Sequence, residues 1–116
     1  MKVSEVARIL NAKILCCEHR LHEEVTSAFG ADMMSDVLAF MNEHTLLLTG
    51  LVNPHVIRTA EMLELRAIVF VRGKEVPEEI LERAKEQEIV LLATDKTLYT
   101  SCGLLYATGL PECRRK

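Results

Sequence analysis

A chain of 116 residues, 49% hydrophobic and 27% charged, has enough apolar material for one core and is unlike a disordered segment. Its net charge of -3 and pI near 5.8 argue against a nonspecific nucleic-acid partner, which calls for a basic excess. No apolar run reaches the ~18 residues that cross a bilayer, so a membrane-spanning role is not expected either.

The opening Met1-Lys2-Val3-Ser4-Glu5 gains a carboxylate at once and has no signal-peptide core, which gives the expectation of a cytoplasmic protein. Ser4 precedes Val6, Ile9 and Leu10, apolar at helical spacing, so a helix is predicted over Glu5 to Leu10 with Ser4 as its cap and Asn11 as its stop. A short strand follows over Ala12 to Cys16, then a polar connection, then a strand over Val25 to Phe29 broken at Gly30. Met33, Met34, Val37, Leu38 and Met41 repeat at helical spacing, with Asp32 or Ser35 near the helix start.

From Thr45 onward the pattern is regular. Leu46 to Leu48, Ala67 to Val71 and Ile89 to Leu92 are strands, and Pro54 to Leu63, Pro77 to Gln87 and Lys96 to Tyr106 are helices. The strands are apolar throughout, as strands covered on both faces are. Alternation with helices of about ten residues gives βαβ units, hence an α/β domain with a mainly parallel sheet and right-handed crossovers. No linker divides the chain, so residues 1–116 are read as one domain. The basic tail Arg114-Arg115-Lys116 is read as a frayed, solubilising end.

The stretch LLLTGLVNPHVIRTAEML, Leu46 to Leu63, carries the candidate site. Thr49-Gly50 falls at the C-terminal end of a strand, where ligands of open parallel sheets sit. Gly50 admits close approach, Asn53 can cap the helix and Pro54 suits its first position. The helix N-terminus attracts anions, with His55 in the first turn and Arg58 one turn on, where it can reach back or pair with Glu61 or Glu64. The stretch is neither a P-loop nor a dinucleotide fingerprint, for it lacks the second Gly, the Lys-Ser/Thr and any G-x-G-x-x-G.

Other groupings are weaker. Cys16, Cys17, His19 and His22 are zinc-competent types at the wrong spacing, so no metal site is expected. Together with Cys102 and Cys113 the cysteines are read as reduced thiols. Asp32 and Asp36 sit four apart, one expected as a cap and the other on the surface. Cys102, His44 and His55 form no recognisable nucleophilic set, so no enzyme and no cofactor are expected. GLLYATGL near the end is unusually apolar and is suited to the sheet or to a partner subunit.

With VSEVARILNAKILC, MMSDVLAF, LLLTGLVNPHVIRTAEML and AIVFVRGKEVPEEILERAKEQEIVLLAT in view, most of the chain resembles the DRTGG-domain family. That family is similar to the N-terminal domain of HPr kinase and occurs within CBS-domain pyrophosphatases and some phosphotransacetylases. The resemblance implies a non-catalytic regulatory domain that dimerises and responds to an adenine nucleotide or other small anion, acting on a separate signalling or metabolic enzyme. It implies ligand contacts from Thr49, Gly50, Asn53, His55 and Arg58, with Asp32 and Asp36 at the neighbouring strand end. Here Asp32 is followed by Met33 rather than Arg, and the Thr-Gly-Gly reads Thr49-Gly50-Leu51. The stretch is therefore a firmer signature of the fold than of a phosphate site.

Overall fold

The computed structural model describes residues 1–42 and 44–113. The basic tail at 114–116 lies outside them. Among the described residues the elements follow in the order α1 Val3–Leu10, β1 Lys13–Cys16, β2 Ser27–Gly30, α2 Met34–Phe40, β3 Thr45–Thr49, α3 Pro54–Leu63, β4 Ala67–Phe70, α4 Glu78–Gln87, β5 Val90–Ala93 and α5 Leu98–Ala107. One turn of 3-10 helix, Glu18–Arg20, interrupts the polar connection after β1. The sheet runs β1-β5-β4-β3-β2. Strands β2 to β5 are parallel, while β1 lies antiparallel on β5 with Lys13 opposite Ala93.

Why these residues make this sheet follows from their apolar runs. TLLLT and AIVF are buried at every position, which requires cover on both faces. Neighbours α2, α3 and α4 supply one layer, with α4 over β1 and β5, and α5 packs over β2 and β3 together with α1. Phe70, Leu46, Leu47, Leu48, Ile68 and Leu91 fill the space between the layers. At the β2 edge, Ala28 N–H donates to Pro111 O (2.9 Å) and Cys113 N–H to Ala28 O (2.8 Å), so the segment after α5 covers that edge. At the other end of the sheet order, β1 carries an irregularity between Ile14 and Cys16, a usual way of blunting an edge.

Several boundaries differ from the sequence reading. Helix α1 begins at Val3 with Lys2 as its cap residue, so Ser4 lies inside it, and the Glu5 carboxylate accepts the Lys2 N–H at 3.1 Å. Asn11 does end the helix, in the left-handed conformation (φ 50°). Strand β2 starts at Ser27 and includes Gly30, because its pairing with Thr45 to Leu48 sets its limits rather than its own hydropathy. Helices α4 and α5 begin one and two residues later than predicted, since Pro77 and Thr97 serve as their cap residues. Thr97 accepts the Thr100 N–H in its side chain (3.2 Å).

Candidate functional site

Beyond the C-terminal ends of the parallel strands, three loops converge on the turn after β3. Asp32, two residues past β2, is no helix cap: Met33 occupies that place in α2. Its Oδ1 instead accepts the Gly50 N–H at 2.7 Å and the Thr49 hydroxyl at 3.1 Å. Thr49 Oγ1 in turn accepts the Leu51 N–H (3.1 Å). Asn53 caps α3 as expected, its Oδ1 accepting the His55 N–H at 2.9 Å with Pro54 in the first turn. The backbone donors at Gly50, Leu51 and His55 are thus satisfied by the protein's own side chains.

Arg72, in the loop after β4, was not picked out from the sequence. Its backbone adopts φ 66°, a left-handed conformation that costs a side-chain-bearing residue about 1–2 kcal/mol. Its guanidinium lies over Gly50 so closely that a Cβ there would sit 2.5 Å from Nη2. Gly50 is what makes this approach feasible. Arg72 N–H donates to Lys96 O at 2.8 Å, which fixes the loop. Among the described residues, no ion pair involves the Arg72 guanidinium. The available signal was an Arg-Gly directly after a buried strand, at the same end of the sheet as Thr49-Gly50.

The remaining sequence candidates divide. Arg58 reaches back to His55, Nη2 to Nδ1 at 3.2 Å, and does not take Glu61. Arg83 does that, at 2.8 Å. Asp36 is exposed in the first turn of α2, and the hydrogen bonds to the Gly50 turn come from Asp32 and Thr49 instead. Asp32, Thr49, Gly50 and Arg72 therefore form one cluster, with Asn53, His55 and Arg58 along the adjoining helix start.

Opposite charges pair mostly at the other end of the molecule. Arg20 faces Glu23 (3.6 Å) and Glu88 (3.5 Å), Arg66 pairs with Glu23, and His19 Nε2 lies 3.1 Å from Glu88. The His19 hydrogen bond and the Arg20 charge hold the Glu88 carboxyl below its usual range. Arg66 Nε donates to His44 Nδ1 at 3.2 Å. His22 Nε2 lies 3.5 Å from Glu23. The histidines and cysteines of CCEHRLH are thereby separated: Cys16 Sγ donates to Ile89 O and Cys17 faces the Ala84 carbonyl. Burial, and then the neighbouring Cys16, push the Cys17 thiol up to about 11, and burial raises Cys102. Thiols so protonated are poor nucleophiles at neutral pH. Among the described residues, no helix is long and apolar enough to cross a membrane.

Removing the Asp32 carboxylate orphans the Gly50 N–H and the Thr49 hydroxyl together. Asp32→Ala is expected to lower stability by about 1–3 kcal/mol in urea unfolding, and Asp32→Asn, which keeps an acceptor, by distinctly less. A loss below about 0.5 kcal/mol for Asp32→Ala would show that the bridge between the β2 and β3 loops contributes little.

The same architecture recurs in a solved structure, the CBS and DRTGG domains of the regulatory region of Clostridium perfringens pyrophosphatase, complexed with its activator diadenosine tetraphosphate. The likeness has a TM-score of 0.73 at 19% identity and covers 95% of this chain but 47% of that one. The present chain thus spans about half the length of that regulatory region. No curated protein matches the chain significantly. The DRTGG domain family matches residues 5–107, a span that runs from α1 through α5 and takes in the Asp32 loop, the Gly50 turn and Arg72. Sequence and fold agree, and the chain belongs to the DRTGG domain family.

Proposed function

We propose that this protein is a non-enzymatic regulatory domain, comprising residues 1–116, that senses a small anionic ligand, an adenine nucleotide in the first instance, and passes the signal to a separate signalling or metabolic enzyme. The observation that carries the reading is Arg72: a guanidinium with no ion pair among the described residues, held over a glycine turn by a backbone in the left-handed conformation. Because Asp32, Thr49 and Asn53 already occupy the turn's N–H groups, the attraction for a phosphate comes from Arg72 rather than from bare backbone. Thr49, Gly50, Asn53, His55 and Arg58 border the same end of the sheet, and Asp32 offers its second oxygen to a ligand hydroxyl. Asp36, exposed on the first turn of α2, completes the acidic side. The pyrophosphatase regulatory region, crystallised with an adenine-nucleotide activator, supports this choice of ligand class. Calorimetry against ATP, ADP, AMP and diadenosine tetraphosphate tests it. Saturable heat with one of them, weakened by added salt, is the expected result. No heat with any of them would end the nucleotide reading.

The working unit in this reading is a homodimer formed through α5. That helix, LYTSCGLLYA, has no charged residue. Tyr99, Gly103 and Tyr106 are spaced by four and three and share one face, with the tyrosines 89% and 71% exposed. A Cβ at Gly103 would meet nothing within 4 Å. Two such helices crossing antiparallel would set the Tyr99 of each beside the Tyr106 of the other, around the hollow at Gly103, a self-complementary contact. Tyr106→Glu is expected to weaken the dimer by about tenfold or more in sedimentation equilibrium, roughly 1.4 kcal/mol. An unchanged association constant would place the dimer elsewhere. The same apolar face also suits a docking module with no ligand of its own. In that case partner binding would survive loss of Arg72.

A further inference from the structure

A second hollow lies at the same end of the sheet, on the far side of the Arg72 loop. Strand β4 leads into α4, over β1 and β5, whereas β5 leads into α5, over β2 and β3 in the other layer. Adjacent parallel strands thus send their connections to opposite faces. In open α/β sheets, the crevice at such a divergence is where small ligands settle. The walls here are fixed. Gly73 N–H donates to Thr94 O (3.0 Å), and Thr94 Oγ1 donates to Leu10 O (2.9 Å), tying the end of β5 to the end of α1. Gly73 holds φ 64°, and a Cβ there would come 2.9 Å from Asp95 Oδ1, so the glycine lets the Asp95 carboxylate lie against the loop.

Beside these walls is a cavity of about 690 Å³, within the ~300–1,000 Å³ usual for small-molecule sites. Leu15, Val76 and Leu81, partly buried against the core, give it an apolar floor. Lys13 and Lys74 stand at its rim with Glu75 and Asp95. Among the described residues, none of these four charged groups forms an ion pair. Two positive and two negative groups therefore surround one cavity without neutralising each other in contact. A plain anion entering it gains the lysines and meets the carboxylates, and a plain cation meets the reverse. A molecule carrying both signs satisfies both sets.

We propose that this cavity is a second ligand site, for a small zwitterion with an apolar body, of the class of an aromatic α-amino acid. The ligand carboxylate faces Lys13 and Lys74, its ammonium faces Asp95 and Glu75, and its apolar body covers Leu15, Val76 and Leu81. The proposal stands independently of the anion site at Arg72.

The test is an NMR titration of the whole chain with L-phenylalanine, with 3-phenylpropanoate, which lacks the ammonium, and with 2-phenylethylamine, which lacks the carboxylate. Saturable shifts of the Lys13, Leu15, Lys74 and Asp95 amides are expected for phenylalanine, with affinity about tenfold or more above either analogue. Lys74→Gln and Asp95→Asn are each expected to weaken binding by about tenfold with unfolding midpoints unchanged. No saturable shift overturns the proposal. So does an equal response to 3-phenylpropanoate, which would mark an anion site only, and so do shifts confined to residues 49–58, which would place the ligand at the Gly50 turn.

Discussion

Arg72→Gly is expected to uncouple binding from stability. Glycine adopts φ 66° without penalty, so relief of the left-handed conformation is worth about 1–2 kcal/mol. Greater freedom of the unfolded chain offsets part of that gain. The backbone N–H to Lys96 O is retained. The unfolding midpoint should therefore hold or rise slightly. Loss of the guanidinium removes the charge-assisted contact on which the proposed anion site depends, about 1.5–3 kcal/mol, so nucleotide affinity should fall by about tenfold or more. Calorimetry and thermal unfolding of the same variant decide the matter. Unchanged affinity would remove Arg72 from the site, and a large loss of stability would recast it as a structural residue. Gly50→Ala provides a second approach to the same contact. Its Cβ would lie 2.5 Å from Nη2, the far end of a flexible side chain, so the guanidinium moves away and affinity falls while the fold is kept.

The largest loss of stability is expected at the centre of the sheet. Phe70 is 1% exposed, at the end of β4, and Phe70→Ala should cost about 3–5 kcal/mol, the transfer term plus the cavity left behind. Against a typical total of about 5–15 kcal/mol, that brings the urea midpoint down steeply. Met62, 71% exposed on α3, is the control: Met62→Ala should stay within about 0.5 kcal/mol. A small effect at Phe70 would mean that the layers can close over the gap.

How far the chain reveals itself depends on how local each cause is. The apolar runs TLLLT, AIVF and VLLA announced β3, β4 and β5, and the Asn53-Pro54 start of α3 was legible because a cap and its helix lie side by side. The α/β class and the mainly parallel sheet followed from that alternation. Asp32 illustrates what was hidden. A carboxylate just before a helix looks like a cap, yet its partners are the Gly50 N–H and the Thr49 hydroxyl, in another strand's loop. Arg72 was hidden for the same reason. Within VRGKEV it reads as an ordinary loop cation, and its closeness to Gly50 exists only once β3 and β4 are paired. For Arg58, helical spacing left the reach back and the pairing with Glu61 or Glu64 both open, and tertiary packing decides: Arg58 turns back to His55 while Arg83 of α4 takes Glu61.

The antiparallel strand at the start of the chain has a consequence for how the molecule assembles. Strand β1 precedes the other four strands but, among the described residues, pairs with β5, Lys13 opposite Ala93, so its place in the sheet exists only after β5 has been made. The units β2 to β5 need only nearest-neighbour crossovers, and closing them costs less chain entropy than bringing the two ends together. Folding should thus proceed from β3 and β4 outward, with α1 and β1 docking last on the completed edge. Until then, the β5 edge that β1 covers offers its backbone N–H and C=O groups to another chain, which makes that late docking step the one most exposed to aggregation.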